Sequence, residues 1–243
     1  MTDSLSSLRQ TGRPRLTLLG GFELLYDDEH VPLSTSAQRL LAFVALRDRP
    51  LQRSYVAGSL WLDSPEERAA ANLRSALWRL HGCGIELVHC EGTQLSLDPG
   101  VIVDLREAEK LAHRALDRTN GSDLDFDATM LSGDLLPDWY DEWVVYERER
   151  FHQLRLRALD ALCGRLADAG RLDGALEIGL AAVADDPLRE SSHRAVVRVH
   201  LADGNIAEAL RQYRLCRRLL NEQLGVEPSK RMQELMRDVE AAH

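Results

Sequence analysis

The sequence predicts a mainly α protein with a small β part, arranged as two domains. Apolar residues alternate with a period near two in residues 15–33 and 85–97. From Asp104 to the end the period is helical, and a seven-residue pattern near Gly170 returns 34 residues later. The 243 residues are 44% hydrophobic, enough for packed cores. No stretch reaches about 18 uninterrupted apolar residues, so a membrane span is not expected. Met1–Gln10 is polar and lacks the apolar centre of a secretion signal. Cys83, Cys90, Cys163 and Cys216 form no C-x-x-C, which points to a reducing, cytoplasmic location.

The elements follow in order. Residues 1–14 read as a flexible N-terminus. Leu16 and Leu18 flank Thr17, Phe22 and Leu24 flank Glu23, and Tyr26–Glu29 reads as a turn before Val31 and Leu33. Gly20-Gly21 suggests a bend between short strands. Ser36 precedes a helix in which Leu40, Leu41, Val44 and Ala45 share a face, and Pro50 stops it. A shorter helix is expected near Ser54–Trp61. Asp63-Ser64-Pro65-Glu66-Glu67 is a helix start: Ser64 is placed to cap Glu67, Pro65 fits the first position, and the acids suit the positive end of the dipole.

That third helix runs to Leu80 and ends at His81-Gly82, with an apolar stripe of Ala70, Leu73, Ala76, Leu77 and Leu80. Arg68, Ala71, Arg74, Ser75 and Trp78 lie opposite, with Asn72 and Arg79 on a flank. Ile85–His89 and Gln94–Leu97, joined by Cys90-Glu91-Gly92-Thr93, read as a β-hairpin.

Strands, three helices and a hairpin in about the first hundred residues is the order of a winged helix-turn-helix. A duplex major groove is about 12 Å wide and admits one helix, which must present Arg or Asn to base edges from an apolar backing. The third helix fits this description; a solvated amphipathic face is the plain alternative. Trp78 on an Arg-rich face fits a contact surface, or it packs under the wing. Net charge is −9, with 30 Lys+Arg against 39 Asp+Glu, but it is unevenly spread. Residues 1–98 carry 10 Arg and 12 acids, whereas 99–243 carry 20 cations and 27 acids. Arg68–Ile85 holds three Arg and no acid, and phosphates respond to that local field.

In the second half, Gly170-Arg-Leu-Asp-Gly-Ala175-Leu176 is echoed by Gly204-Asn-Ile-Ala-Glu-Ala209-Leu210. A 34-residue period is that of tetratricopeptide helix hairpins. Ala182 and Pro187 follow in the first copy; Tyr213 and Cys216 follow in the second, where Asn221 replaces the proline. Small residues let paired helices approach, so a short helical array is expected.

Further segments carry a resemblance. Leu19-Gly20-Gly21-Phe22-Glu23-Leu24, Arg39-Leu40-Leu41-Ala42, Leu60–Glu66 and Ala71–Leu80 resemble the Streptomyces antibiotic regulatory protein (SARP) family. Gly133–Trp143, Tyr146–Arg150, Asp186–Glu190 and Leu224–Ser229 resemble that family's bacterial transcriptional activation domain. The match runs from about Arg15 over nearly the whole chain and departs at His81-Gly82, where the family continues with another Arg. The resemblance implies an OmpR-like winged-helix domain at 15–98 and a tetratricopeptide-like activation domain at 104–243. It implies a transcriptional activator that binds direct repeats in double-stranded promoter DNA and recruits RNA polymerase, often through sigma region 4.

By the same carry-over, the helix holding Asn72, Arg74 and Arg79 is the recognition helix, and Thr93 and Gln94 lie on the wing. The outward face adds Arg68, Ser75 and Trp78 as expected DNA contacts, and Arg53 is expected to join Thr93 and Gln94 in wing and phosphate contacts. A second copy on DNA and an antibiotic gene cluster as target are expected. No ATPase or sensor segment is expected after His243, as in the small two-domain members. The competing reading is a protein-interaction module of helical repeats with little DNA binding.

Other constellations carry less. His81, Cys83, His89 and Cys90 are four metal-ligand types within ten residues, but a helix end and an alternating strand scatter them. No metal or cofactor is expected. Asp123, Asp125, Asp127 and Asp134 lack the glycine of a calcium loop and read as linker and helix caps. Glu147–Arg150 reads as a helix surface with short-range ion pairs, and His152 and His193 as packed or solvated helix residues. No G-x-S-x-G, P-loop or G-x-G-x-x-G occurs, so no catalytic residues and no enzyme activity are expected. Trp139, Tyr140, Trp143 and Tyr146 form either a partner groove, or the seam between domains or first helix of the array.

Overall fold

The computed structural model describes residues 12–117 and 127–241. Asp123 and Asp125 lie outside the described residues, as do residues 1–11 of the expected N-terminal tail. The chain forms two compact units, Met1–Glu107 with Ser132–Glu149, and Ala108–Leu131 with Arg150–His243, as far as these are described.

In the front unit, β1 (Arg15–Thr17), β2 (Glu23–Tyr26) and β3 (Glu29–His30) form an antiparallel meander. The β2–β3 turn places Asp27 and Asp28 at φ of 52° and 62°, a left-handed pair that aspartate tolerates and a two-residue hairpin requires. Past β1, Leu18 and Leu19 donate their amides to the Asp104 carboxylate at 2.9 and 3.0 Å. Burial raises the Asp104 pKa, and these bonds oppose the rise. The Gly20 amide donates to the Asp134 carbonyl at 2.8 Å, and the Leu136 amide to the Leu18 carbonyl at 2.9 Å. At Gly133, φ is 85° and an added Cβ would lie 3.2 Å from the Gly20 nitrogen, so both conformation and crowding demand glycine.

Three helices follow, α1 (Thr35–Ala45), α2 (Arg53–Leu60) and α3 (Glu66–His81), with the hairpin β5 (Val88–Glu91) and β6 (Gln94–Leu97). The two-residue strand β4 (Leu51–Gln52) joins the hairpin in the order β4-β6-β5, and β7 (Ile102–Val103) lies parallel beside β1. The Pro14 carbonyl accepts from the Ile102 amide at 2.8 Å, so the tail is already anchored there.

Three local expectations shift. The hairpin turn is Gly92-Thr93 with Gly92 at φ 56°, which puts Cys90 inside β5 and leaves Ile85 outside it. Ser64 does not cap α3; Pro65 is the N-cap, its carbonyl accepting from Arg68 and Ala69, while the Ser64 amide closes a turn onto Trp61. Ala69, rather than Ala70, completes the buried stripe of α3.

Residues before and within the start of α5 (Glu142–Asp168) complete this unit. Trp139 stacks on Phe22 at 5.8 Å between centroids, and Trp143 meets Phe43 edge-on at 5.1 Å. Tyr140 and Tyr146 are exposed, so the four aromatics divide between core and surface. Arg39 pairs with Asp141, and Arg47 with Glu147 at 3.0 Å. Arg148 donates to the Leu135 carbonyl at 2.7 Å and the Trp139 carbonyl at 2.8 Å. Glu147 and Arg148 are thus built into the unit and are not part of a solvated face.

The rear unit contains most of α4 (Asp104–Leu116), the remainder of α5, and α6 (Leu172–Asp185), α7 (Glu190–Ala202), α8 (Ile206–Leu224) and α9 (Lys230–Ala241). Gly170 and Gly204 take φ of 75° and 74°, so the sequence repeat makes the same left-handed turn twice. A Cβ on Gly179 would lie 2.8 Å from Val196 Cγ2 and 3.1 Å from Cys163 Sγ, which is the close approach the small residues permit. α6 ends ahead of Pro187; with Asn221 in place of the second proline, α8 runs on to 19 residues. Its buried stripe, Ala209, Tyr213, Cys216 and Leu220, packs with Met232 and Met236 of α9.

Polar groups frame this unit. Arg155, 4% exposed, holds the Asp185 carboxylate at 2.6 Å and 3.1 Å. Asp160 accepts from Arg189 at 3.2 Å, Ser191 at 2.7 Å and Ser192 at 2.8 Å. His193 is fully buried: its Nε2 donates to the Pro187 carbonyl at 2.9 Å, and its Nδ1 accepts from Gln212 at 2.8 Å. Burial lowers the His193 pKa, against the pull of the Pro187 bond and the charges of Asp186 and Glu190. Burial pushes the Cys163 thiol up to about 12 and the Cys216 thiol to about 11, so both stay protonated packing groups.

Candidate nucleic-acid interface

Helix α3 divides cleanly around its axis. At about 100° per residue, the buried Ala69, Leu73, Ala76, Leu77 and Leu80 occupy one arc. Arg68, Arg74, Ser75, Trp78 and Arg79 occupy the other and are all exposed, with Asn72 half-buried between. Glu66 and Glu67 lie in the first turn, leaving the rest of the outward arc free of acid. Trp78 is 76% exposed, which excludes its packing under the wing within this unit. Arg79 is steadied by a 2.9 Å bond to Ser36 Oγ at the start of α1, and the Ser75 hydroxyl is turned back onto the Ala71 carbonyl at 3.1 Å. Arg68 and Arg74 make no ion pair with any described residue.

The structure also gathers the residues assigned to the wing. Gln52 pairs in register with Gln94, and the Arg53 amide donates to the Thr93 carbonyl at 2.9 Å. Arg53 therefore starts α2 at the base of the hairpin turn, with Thr93 and Gln94 exposed beside it. Its Nε is buried without a hydrogen-bond partner among the described residues. The sequence marks Ser36 only as the residue before the first helix, whereas α1 starts at Thr35 with Ser34 as its N-cap; the tie of Ser36 to Arg79 spans 43 positions and leaves no periodic trace.

The metal-ligand types near the hairpin are otherwise engaged. His81 Nδ1 lies 2.8 Å from the Leu77 carbonyl, and Cys83 Sγ donates to the Leu80 carbonyl at 2.8 Å. His89 and Cys90 are neighbours on β5 and point to opposite faces. Asp127 accepts from the Thr129 amide at 3.1 Å at the start of a 3-10 turn, Ala128–Leu131. No helix among the described residues is long and apolar enough to cross a membrane.

Residues 103–240 match the family described as bacterial transcriptional activator domain. The chain belongs to that family. The matched stretch of this bacterial transcriptional activator domain protein includes Ser132–Glu149, which pack with the front unit. A curated relative, the regulatory protein AfsR of Streptomyces coelicolor, is 28% identical over 255 residues, covering 95% of this chain. Among solved structures, Mycobacterium tuberculosis EmbR in complex with a low affinity phosphopeptide superposes with a TM-score of 0.76 at 21% identity, over 96% of this chain, and shares its fold. The chain spans 24% of the length of AfsR and 66% of the EmbR chain. The resemblance to the SARP family holds: small sheets and helices in front, a helical domain behind, in a SARP-like bacterial transcriptional activator. The family is one of regulators and not an enzyme class.

Proposed function

We propose that this activator reads double-stranded promoter DNA with the outward arc of α3. Phosphate contacts from Arg53, Thr93 and Gln94 set the position, while Arg68, Asn72, Arg74, Ser75 and Arg79 read base edges or adjoining backbone, with Trp78 against the groove wall. The observation that carries this reading is the arc itself: three arginines and a bare tryptophan on a helix whose other side is core. Exposed aromatic surface beside uncommitted guanidinium suits a partner that is both flat-sided and anionic.

One such domain, residues 15–98, buries little surface alone. Two copies on direct repeats about one helical turn apart then supply the affinity. The helical domain, residues 104–243, contacts the neighbouring copy or RNA polymerase, through sigma region 4, and raises polymerase occupancy at a weak promoter. A cytoplasmic location and control of an antibiotic gene cluster accompany this reading.

Footprinting on the DNA upstream of the neighbouring genes tests it, combined with binding titrations against salt. The expected result is protection of repeated half-sites and log affinity falling with log salt at about −0.9 per neutralised phosphate. Arg74→Ala and Arg79→Ala should each weaken binding by about 1–3 kcal/mol. A flat salt response, with partner capture surviving deletion of residues 1–98, would instead favour the interaction-module reading.

A further inference from the structure

Between α2 and α3 lies a cavity of about 500 Å³, walled chiefly by Ala57, Gly58, Trp61, Ala69, Leu73 and Leu77. Small-molecule sites commonly span about 300–1,000 Å³ and combine apolar walls with a few polar groups. Here the cationic groups are Arg53 and Arg74, and Glu66 is the one carboxylate on the lining. Arg53 Nε is buried with no hydrogen-bond partner among the described residues, a state that native proteins seldom leave uncorrected. Arg74 likewise has no ion pair with a described residue.

Gly58 is the second anomaly. It lies inside α2, where glycine is disfavoured, and a Cβ built on it would meet nothing within 4 Å. Neither crowding nor a left-handed backbone calls for glycine there. Its missing side chain leaves open the space that the cavity occupies.

We propose that this cavity is a binding site for a small organic anion with an apolar ring body. The rings lie against Ala57, Ala69, Leu73 and Trp61, and the anionic group meets the guanidinium groups of Arg53 and Arg74. Two cations against one carboxylate leave the site with net positive charge. Because both arginines also belong to the proposed DNA face, an occupied cavity draws them away from phosphates and lowers DNA affinity. That consequence rests on the DNA reading; the site itself does not.

The test uses the full chain and 8-anilinonaphthalene-1-sulfonate as probe, followed by its fluorescence. Saturable binding with one site per chain is expected, and the uncharged N-phenyl-1-naphthylamine should bind at least tenfold more weakly. Gly58→Leu, whose Cβ meets nothing within 4 Å, should weaken the sulfonate tenfold or more while the unfolding temperature does not fall. Ala70→Phe fills the site from α3 and should do the same. Arg53→Gln should weaken it about fivefold.

No saturable binding, equal binding of the neutral probe, or affinity unchanged in both filled variants would each overturn the site. On operator DNA, saturating probe should lower the affinity of the wild-type chain and leave Gly58→Leu unaffected; an unchanged wild-type affinity overturns the competition. A chain that binds probe but no DNA removes the DNA reading and leaves the site standing, whereas one that binds DNA but no probe does the reverse.

Discussion

On α3, Arg68 and Arg74 stand exposed with no ion pair among the described residues, whereas in the rear unit Arg155 and Arg189 are locked to the carboxylates of Asp185 and Asp160. The residue type is the same and the environments are opposite. A guanidinium left in water keeps its hydration and its five donors, so it remains available to a ligand. One taken out of water must be compensated on the spot, and it then specifies which helix packs where. The contrast teaches that arginine count says little in a chain carrying 30 cations; the commitment of each guanidinium is what separates recognition from architecture.

The largest test of that contrast lies at Asp185. Its replacement by Ala removes the carboxylate that Arg155, 4% exposed, holds, and should cost about 3 kcal/mol in urea unfolding. A loss below about 0.5 kcal/mol would place Arg155 with the dispensable surface arginines. Next in size is Gly179→Ala, whose methyl collides with Val196 and Cys163 and should destabilise by about 1–3 kcal/mol. The same change at Gly58 in the front unit meets empty space and should stabilise by about 0.5–1 kcal/mol, reversing the sign.

Smaller still, Arg68→Ala and Trp78→Ala should shift folding stability by no more than about 0.5 kcal/mol, because neither side chain is packed. A large loss of stability at either would erase the distinction drawn for α3.

A gentler probe is pH. The neutral His193 ring donates from one nitrogen and accepts at the other, so protonation sets a second N–H against the Gln212 donor. Its pKa is lowered on folding, so its contribution is complete above the unfolded value, about 6.5, and is lost as pH falls through the folded value. Thermal unfolding followed from pH 8 to 5 should show this loss in the wild type and a shallower dependence in His193→Gln.

Periodic features were legible in the sequence. The two faces of α3 follow from leucine spacing, and the matching turns at Gly170 and Gly204 follow from the 34-residue echo. Features made by distant partners were not. β4 and β7 are two residues each, too short for any alternation to register. The exposure of Trp78 depends on where the wing lies, which α3 alone does not encode. The division of the aromatics after Pro137 depends on Phe22 and Phe43, roughly a hundred positions earlier. The cavity beside Gly58 is an absence of atoms, and pattern reading registers only atoms that are present.

The bonds from Gly20 to Asp134 and from Leu136 to Leu18 also set a schedule. On the ribosome, the first strand emerges more than a hundred residues before the segment that seals its end. At about 5–20 residues per second, Phe22 and Phe43 wait several seconds for Trp139 and Trp143. A fragment stopped at residue 107 would leave those two rings without their tryptophan partners. Expressing the front unit alone therefore calls for the stretch through Glu149 to be supplied, in cis or as a separate peptide.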